Sequence, residues 1–339
     1  MTIIEVKNLK KEYKVNIKKE GLSGAILNVF KPKYEMKHAV KGVDFKISQG
    51  EMVGYIGANG AGKSTTIKML TGILMPTSGS VIIDGLDPFK NRIQNNMKIG
   101  AVFGQRTQMW WDLPVIESYK LIQKIYEVPE ERFQDNLKFY SDYLDLHDLL
   151  EIPVRQLSLG QKMRCEIAAA FIHDPKLVFL DEPTIGLDFM VKEKIREFIK
   201  ILNKEKNITV ILTTHDLQDI EEICERIIII DNGMIVYDGS LEEIKSKFCE
   251  FAIVDFMIKT INIGLDEVLE AHSDKLTVLS KDPHNLSIKF NRNIITVAGV
   301  ISIIAPFCNI ADLSIKEDSI DTIIKDLYEK KLFTGAPLN

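Results

Sequence analysis

Three apolar runs without polar alternation stand out along the chain: Met52-Val53-Gly54-Tyr55-Ile56, Leu177-Val178-Phe179-Leu180 and Ile208-Thr209-Val210-Ile211-Leu212. A strand with one wet face alternates apolar and polar residues, so these runs predict strands buried on both faces, in a parallel sheet covered by helices. Each run ends at residues with chemistry: a glycine-rich loop, Asp181-Glu182, and Thr213-Thr214-His215. Ligands of such sheets gather beyond the carboxyl ends of the strands, which places all three candidates on one rim. Between the first two runs, over about residues 114–174, the period lengthens. Leu121, Ile125 and Tyr126 recur at helical spacing, as do Leu137, Tyr140, Leu144 and Leu146, which predicts a helical insertion in the sheet domain.

The pattern changes again after Ile235-Val236-Tyr237-Asp238-Gly239-Ser240. The tail predicts a strand over 251–258, a helix over 265–271, strands over 275–279 and 286–290, a helix over 294–304, a strand over 310–315 and a last helix over 319–328. A small ferredoxin-like domain satisfies that βαββαβ order. The longest apolar stretch, residues 294–308, is interrupted by Thr296, Gly299, Ser302 and Pro306. A bilayer span needs ~20 mostly apolar residues, so the stretch reads as a buried element and the chain is not expected to cross a membrane by itself. The opening Met1-Thr2-Ile3-Ile4-Glu5 has no signal-peptide character.

Composition narrows the class. With 339 residues, two domains are expected at about 150 residues per domain. Charged residues at 27% and hydrophobic ones at 45% are ordinary for a globular chain and exclude a disordered, collagen-like or disulfide-scaffold protein. The 43 basic and 48 acidic residues leave a net charge of −5, so there is no globally basic surface for duplex nucleic acid, and no nucleic-acid partner is expected. Cys165, Cys224, Cys249 and Cys308 form no CxxC pair and read as small buried hydrophobes in a reducing compartment.

Gly57-Ala58-Asn59-Gly60-Ala61-Gly62-Lys63-Ser64 fits G-x-x-x-x-G-K-[ST] between a predicted strand and the helical Thr65-Thr66-Ile67-Lys68-Met69-Leu70. Glycines let backbone N–H groups turn inward around a phosphate, and the helix N-terminus adds its positive dipole end. Lys63 would reach the β- and γ-phosphates, and the Ser64 hydroxyl would ligate Mg²⁺. Asp181 closes the second strand where phosphate-loop enzymes place a magnesium-binding carboxylate. Glu182 beside it is placed to accept a proton from the attacking water or to orient it.

Leu157-Ser158-Leu159-Gly160-Gln161 opens a further predicted helix, over 162–173, whose N-terminus offers a second anion site. In this order the motifs resemble those of the ATP-binding subunit of an ABC transporter, over roughly residues 1–245. The resemblance is to the branch that exports drugs, polysaccharides and related cargo. It implies a RecA-like P-loop NTPase core of α/β class with an N-terminal antiparallel β region and a helical subdomain at about 106–174. Here these are followed by a small C-terminal α+β accessory or regulatory domain over 246–339.

Residue by residue, the resemblance implies that Gly57, Asn59, Gly60, Ala61, Gly62, Lys63, Ser64 and Thr65 hold ATP as the Walker A loop. Asp181 takes the place of the Walker B aspartate and Glu182 that of the catalytic glutamate. Gln105 resembles the Q-loop glutamine that senses Mg²⁺, so Ser64, Gln105 and Asp181 form the implied metal set. Ser158, Gly160 and Gln161 resemble the signature, Gly186-Leu187-Asp188 the D-loop, and His215 the switch histidine near the γ-phosphate. Tyr13 is the candidate to stack on adenine, with Tyr34 as its rival, because a family-atypical insertion at about 14–37 separates the first strand from Ala39-Val40-Lys41-Gly42-Val43. The family has Gly where this chain has Leu159. The backbone N–H survives that change, and the local backbone angle becomes the point to check.

In this family the signature of one subunit closes over ATP held by the Walker A loop of another. One of each per chain implies a homodimer or a paired ABC ATPase subunit, with separate transmembrane permease subunits on the inner face of the cell membrane. Trp110 and Trp111, beside Gln105, either line the groove that receives a permease helix or pack into the helical insertion. Residues 21–30 form either a short amphipathic helix or a hairpin on their own domain. The alternatives are an importer subunit and a soluble ribosome- or DNA-associated ABC ATPase. The last two are disfavoured by the single ATP motif set and by the lack of sustained heptads.

Overall fold

A computed structural model describes residues 1–16, 34–104, 107–248 and 251–317. The chain divides into two units, Met1–Gly239 and one beginning at Ser240. The strands of the first are β1 (Thr2–Asn16), β2 (Tyr34–Ser48), β3 (Met52–Gly57), β4 (Ser78–Ile83), β5 (Ile99–Phe103), β6 (Leu177–Asp181), β7 (Thr209–Thr213), β8 (Arg226–Asp231) and β9 (Met234–Ser240). Its helices are α1 (Lys63–Leu70), α2 (Arg92–Asn96), α3 (Val115–Ile125), α4 (Glu130–Leu144), α5 (Leu159–Phe171), α6 (Phe189–Lys206) and α7 (Leu217–Ile223).

The central sheet runs in the order β5-β6-β7-β3-β8-β9, with β5 through β8 paired in parallel. Its strands are those expected from the unalternated runs. Leu177, Val178, Phe179 and Leu180 are each at most 1% exposed, and every residue of β7 is buried. Burying one such aliphatic side chain contributes about 1.5–3 kcal/mol, so the carboxyl ends of β3, β6 and β7 are held firmly. A smaller antiparallel sheet, β2-β1-β4, lies in the N-terminal part. Its β1–β2 ladder runs from Thr2↔Ser48 to Asn16↔Tyr34. Residues 14–16 and 34–37 pair within this ladder, while the segment 21–30 lies outside the described residues.

The helical stretch contains α3, α4 and α5, but α3 turns a different face inward from the one its aliphatic spacing predicts. Leu121 and Ile125 are 39% and 58% exposed, whereas Val115, Ser118, Tyr119, Ile122 and Gln123 are buried. The buried polar groups are satisfied: Tyr119 donates to the Cys165 carbonyl at 2.9 Å, and Ser118 Oγ accepts from Trp110 N at 3.1 Å. The α5 helix begins at Leu159 instead of 162 because Ser158 and Gln161 form a capping box. Edge-to-face contacts of Phe198 with Tyr140 and Phe171 tie α4, α5 and α6 together.

The second unit contains α8 (Leu241–Phe248), β10 (Phe251–Ile261), α9 (Leu265–Ala271), β11 (Leu276–Lys281), β12 (Asn285–Asn291), α10 (Val297–Ile304) and β13 (Cys308–Glu317). Its antiparallel sheet is ordered β11-β12-β10-β13, around a core that includes Val254, Phe256, Ile288, Val300 and Ile304. The α10 helix starts at Val297, later than the pattern predicts, because the Thr296 hydroxyl caps it by accepting from Gly299 N at 3.2 Å. The helix expected over 319–328 lies outside the described residues. Cys165, Cys224 and Cys308 are free and buried, and burial pushes the Cys165 thiol up to about 12; Cys249 lies outside the described residues. Among the described residues, no helix is long and apolar enough to cross a membrane.

Candidate active site

The loop after β3 wraps around the start of α1. Gly62 sits at the helix N-cap with φ +116°, a conformation that L side chains rarely adopt, and a Cβ there would come within 2.7 Å of the Ala39 carbonyl. Lys63 opens the helix and is 8% exposed. Its ammonium donates to the Gly57 carbonyl at 2.5 Å and to the Ala58 carbonyl at 3.2 Å, so the loop itself holds the charge in place. Burial lowers the lysine's pKa, opposed by the nearby carboxylates of Glu182 and Asp181.

The ends of β6 and β7 meet this loop. Glu182 follows the strand at φ +54°, uncommon for a residue with a side chain. Its N–H donates to the Thr213 carbonyl at 2.8 Å, and Thr213 Oγ1 donates to the Asp181 carboxylate. Glu182 Oε1 lies 2.9 Å from His215 Nε2, which joins two candidates separated by 33 positions. Gly104 N donates to the Asp181 carbonyl at 2.8 Å. A Cβ on Gly104 would come within 2.5 Å of the Glu182 carbonyl, so this close approach requires glycine. Sequence reasoning missed Gly104; its signal was a glycine beside Gln105, which itself lies outside the described residues.

A cleft of about 640 Å³ collects Tyr13, Asn59, Gly60, Gly62, Lys63, Ser64, Thr65, Glu182 and His215. That volume lies in the range of ligand pockets. Tyr13 lines it and Tyr34 does not, although both rings are accessible, at 37% and 49% exposed. A neighbouring cavity is lined by Ser64, Lys68, Ile73, Phe103, Gly104, Asp181 and Glu182. A hydroxyl and a carboxylate facing one cavity are hard oxygen donors that fit Mg²⁺, which keeps several waters and takes phosphate oxygens as further ligands. No group of three or more His, Cys, Asp and Glu side chains among the described residues could hold a metal ion.

The remaining candidates lie elsewhere. Ser158, Gly160, Gln161 and Asp188 do not line the cleft. Ser158 Oγ accepts from Gln161 N at 3.3 Å while Ser158 N donates to Gln161 Oε1 at 2.9 Å, which closes the capping box. Asp188 caps α6, accepting from Val191 N at 3.0 Å. Leu159 takes the first helical position, is absent from the residues with positive φ, and lies against Gly186, so leucine meets no backbone penalty there. Trp110 and Trp111 are 40% and 52% exposed, and Lys162 Nζ stands 4.9 Å from the Trp111 ring centroid. Neither tryptophan is packed into the helical core.

The sequence model described as ABC transporter matches residues 40–185. The chain is 31% identical over 215 residues to the ABC transporter ATP-binding protein NatA of Bacillus subtilis, covering 63% of this chain and 87% of that protein. It is 29% identical over 309 residues to the linearmycin resistance ATP-binding protein LnrL of the same organism, covering 89% and 97%. A methionine import ATP-binding protein of Enterococcus faecalis is 32% identical over 251 residues, covering 73% and 68%. Two Dictyostelium discoideum relatives, ABC transporter A family members 1 and 8, are far longer, and the chain spans 27% and 29% of their length. Among solved structures, an ATP-binding subunit of an ABC transporter superposes with a TM-score of 0.61 at 27% identity, covering 73% of this chain and 93% of that one.

Proposed function

The chain belongs to the ABC transporter family and is similar to its ATP-binding subunits, and from that premise we propose that it hydrolyses ATP with Mg²⁺ as one half of a head-to-tail homodimer coupled to separate membrane permeases. The observation that carries this reading is the separation of its motifs. Lys63, Glu182 and His215 line one cleft, while Ser158, Gly160 and Gln161 cap a helix outside it. A lone copy holds both halves of a site without assembling them. Two copies related by a two-fold axis would present each signature to the other's phosphate loop.

In the proposed cycle Tyr13 stacks on the adenine and the loop from Gly57 to Thr65 cradles the phosphates. Lys63 turns from the Gly57 and Ala58 carbonyls towards the β- and γ-phosphates. Ser64, Asp181 and Gln105 would hold Mg²⁺, which when bound neutralises phosphate charge and fixes the nucleotide's orientation. Glu182 accepts a proton as water attacks the γ-phosphorus, breaking the bond to ADP and releasing phosphate. His215, in contact with Glu182, holds the carboxylate towards the water and faces the γ-phosphate. Turnover is expected to rise with the square of protein concentration while monomers predominate, and to follow the ATP-dependent dimer seen by sedimentation. Full-rate turnover by single copies would overturn the pairing.

The two exposed tryptophans support a permease-docking edge, since aromatics anchor interfaces. Changing both Trp110 and Trp111 to alanine is expected to leave ATPase activity of the purified subunit unchanged. It should abolish co-purification with any polytopic membrane protein that the unaltered chain retains, and intact complex formation would count against docking there. The cycle is placed at the cytoplasmic face of the membrane, and the proposed direction is export. The likeness to a resistance protein supports that direction because it extends across both units. A neighbouring gene for an extracytoplasmic binding protein would reverse it.

A further inference from the structure

Behind the Glu182–His215 contact lies a buried carboxylate that the chemistry above does not use. Asp219, on α7, is 0% exposed. Its Oδ2 accepts from Thr184 Oγ1, and from Thr214 Oγ1 at 3.1 Å. Its Oδ1 accepts from Arg196 Nε at 2.7 Å, and the Arg196 guanidinium is itself 1% exposed. Thr184 stands two residues after Glu182 and Thr214 immediately before His215. One oxygen atom therefore ties the chain on both sides of the catalytic pair.

The tie continues into a ladder between two helices. Lys192 and Lys200 of α6 lie on the same face as Arg196, at one-turn spacing, and Asp216 and Glu222 flank Asp219 around α7. Lys192 meets Asp216 at 2.5 Å, Arg196 meets Glu222 at 3.0 Å, and Lys200 meets Glu222 at 3.5 Å. The outer pairs are partly exposed and contribute little by themselves. The central pair is different: Arg196 also meets Glu222 and Glu193, but the cation that meets the buried Asp219 carboxylate is Arg196, and without it a buried negative charge would be left uncompensated.

We propose that Asp219 is a positioning residue for ATP hydrolysis, receiving the Thr184 and Thr214 hydroxyls so that the Glu182 and His215 segments move as one block. This rests on the hydrolytic role given to Glu182. The test uses the full chain with Thr184→Val and Thr214→Val, which keep side-chain volume and remove the hydroxyl. Each lost hydroxyl should lower kcat about tenfold. KM for ATP should stay within about twofold, because only the transition-state geometry is disturbed. Thr184→Ser, which restores the hydroxyl, should recover most of the rate. Asp219→Asn breaks a charge pair buried on both sides and risks misfolding, so the threonine variants carry the test.

Wild-type kcat in both valine variants, with only a lowered melting temperature, would show a structural tie and overturn the proposal. The Glu182→Gln control separates the two possible failures. If that control is dead while the valine variants run at wild-type rate, the positioning role alone falls. If the control still turns over at full speed, the hydrolytic reading falls and takes this inference with it.

Discussion

Glu182→Gln is expected to lower ATP turnover by about 10²–10⁴-fold, the range over which a positioned general base contributes, while ATP still binds. The amide matches the carboxylate in shape but cannot take a proton from water. The backbone that places it is unaffected, because Glu182 is fixed through its own N–H to the Thr213 carbonyl. The side chain is partly exposed, so the fold loses little. Removing a negative charge beside the triphosphate also favours the ATP-bound state, so the variant should accumulate as a dimer. Equilibrium nucleotide binding, steady-state turnover and sedimentation with ATP check the three parts separately. Unchanged turnover would move the base to another group, with His215 the first to examine because it contacts Glu182 directly.

The parts of the molecule legible from sequence are those where one local rule dominates. The β3, β6 and β7 strands announced themselves because a strand buried on both faces has no room for polar alternation. The phosphate loop was legible because its glycines and lysine answer to a few adjacent backbone atoms. The α3 helix defeated the same approach. Its inward face holds Ser118, Tyr119 and Gln123, whose polar atoms are satisfied by groups outside the helix: Trp110 N, the Cys165 carbonyl, and the Val128 carbonyl with Glu130. A reading that seeks aliphatic stripes turns such a helix the wrong way. Buried polar residues with partners cost little, so burial need not follow hydrophobicity.

The candidate site divides along the same line. Lys63, Ser64, Asp181 and Glu182 sit where a motif places them, but the join between Glu182 and His215 spans two strands, and no local spacing encodes it. Thr184 and Asp219 were missed altogether, and Thr214 was named only as a neighbour of His215. Thr184 and Asp219 are 35 residues apart, and a threonine beside a turn reads equally well as solvent-facing. A faint signal existed in the i, i+3, i+6 recurrence of Asp216, Asp219 and Glu222, which marks one helix face as acidic. It named no partner until α6 supplied the cations.

The second large effect is expected at the signature. Ser158→Arg should abolish hydrolysis while leaving ATP binding by the monomer intact, because Ser158 does not line its own chain's cleft. The substitution also removes an N-cap, which costs about 0.5–2 kcal/mol, so Ser158→Ala is the control: it loses the cap without adding bulk or charge. If the serine mattered only for the α5 terminus, arginine and alanine would lose activity together, in step with their melting temperatures. If the serine faces a partner's γ-phosphate, arginine should be silent at temperatures where alanine still turns over. Mixing Ser158→Arg with Lys63→Ala sharpens the distinction. Each parent is dead alone, yet half of the composite sites in a mixed dimer join an intact phosphate loop to an intact signature. Measurable turnover in the mixture therefore requires a site built by two chains, and wild-type rate in Ser158→Arg alone would exclude one.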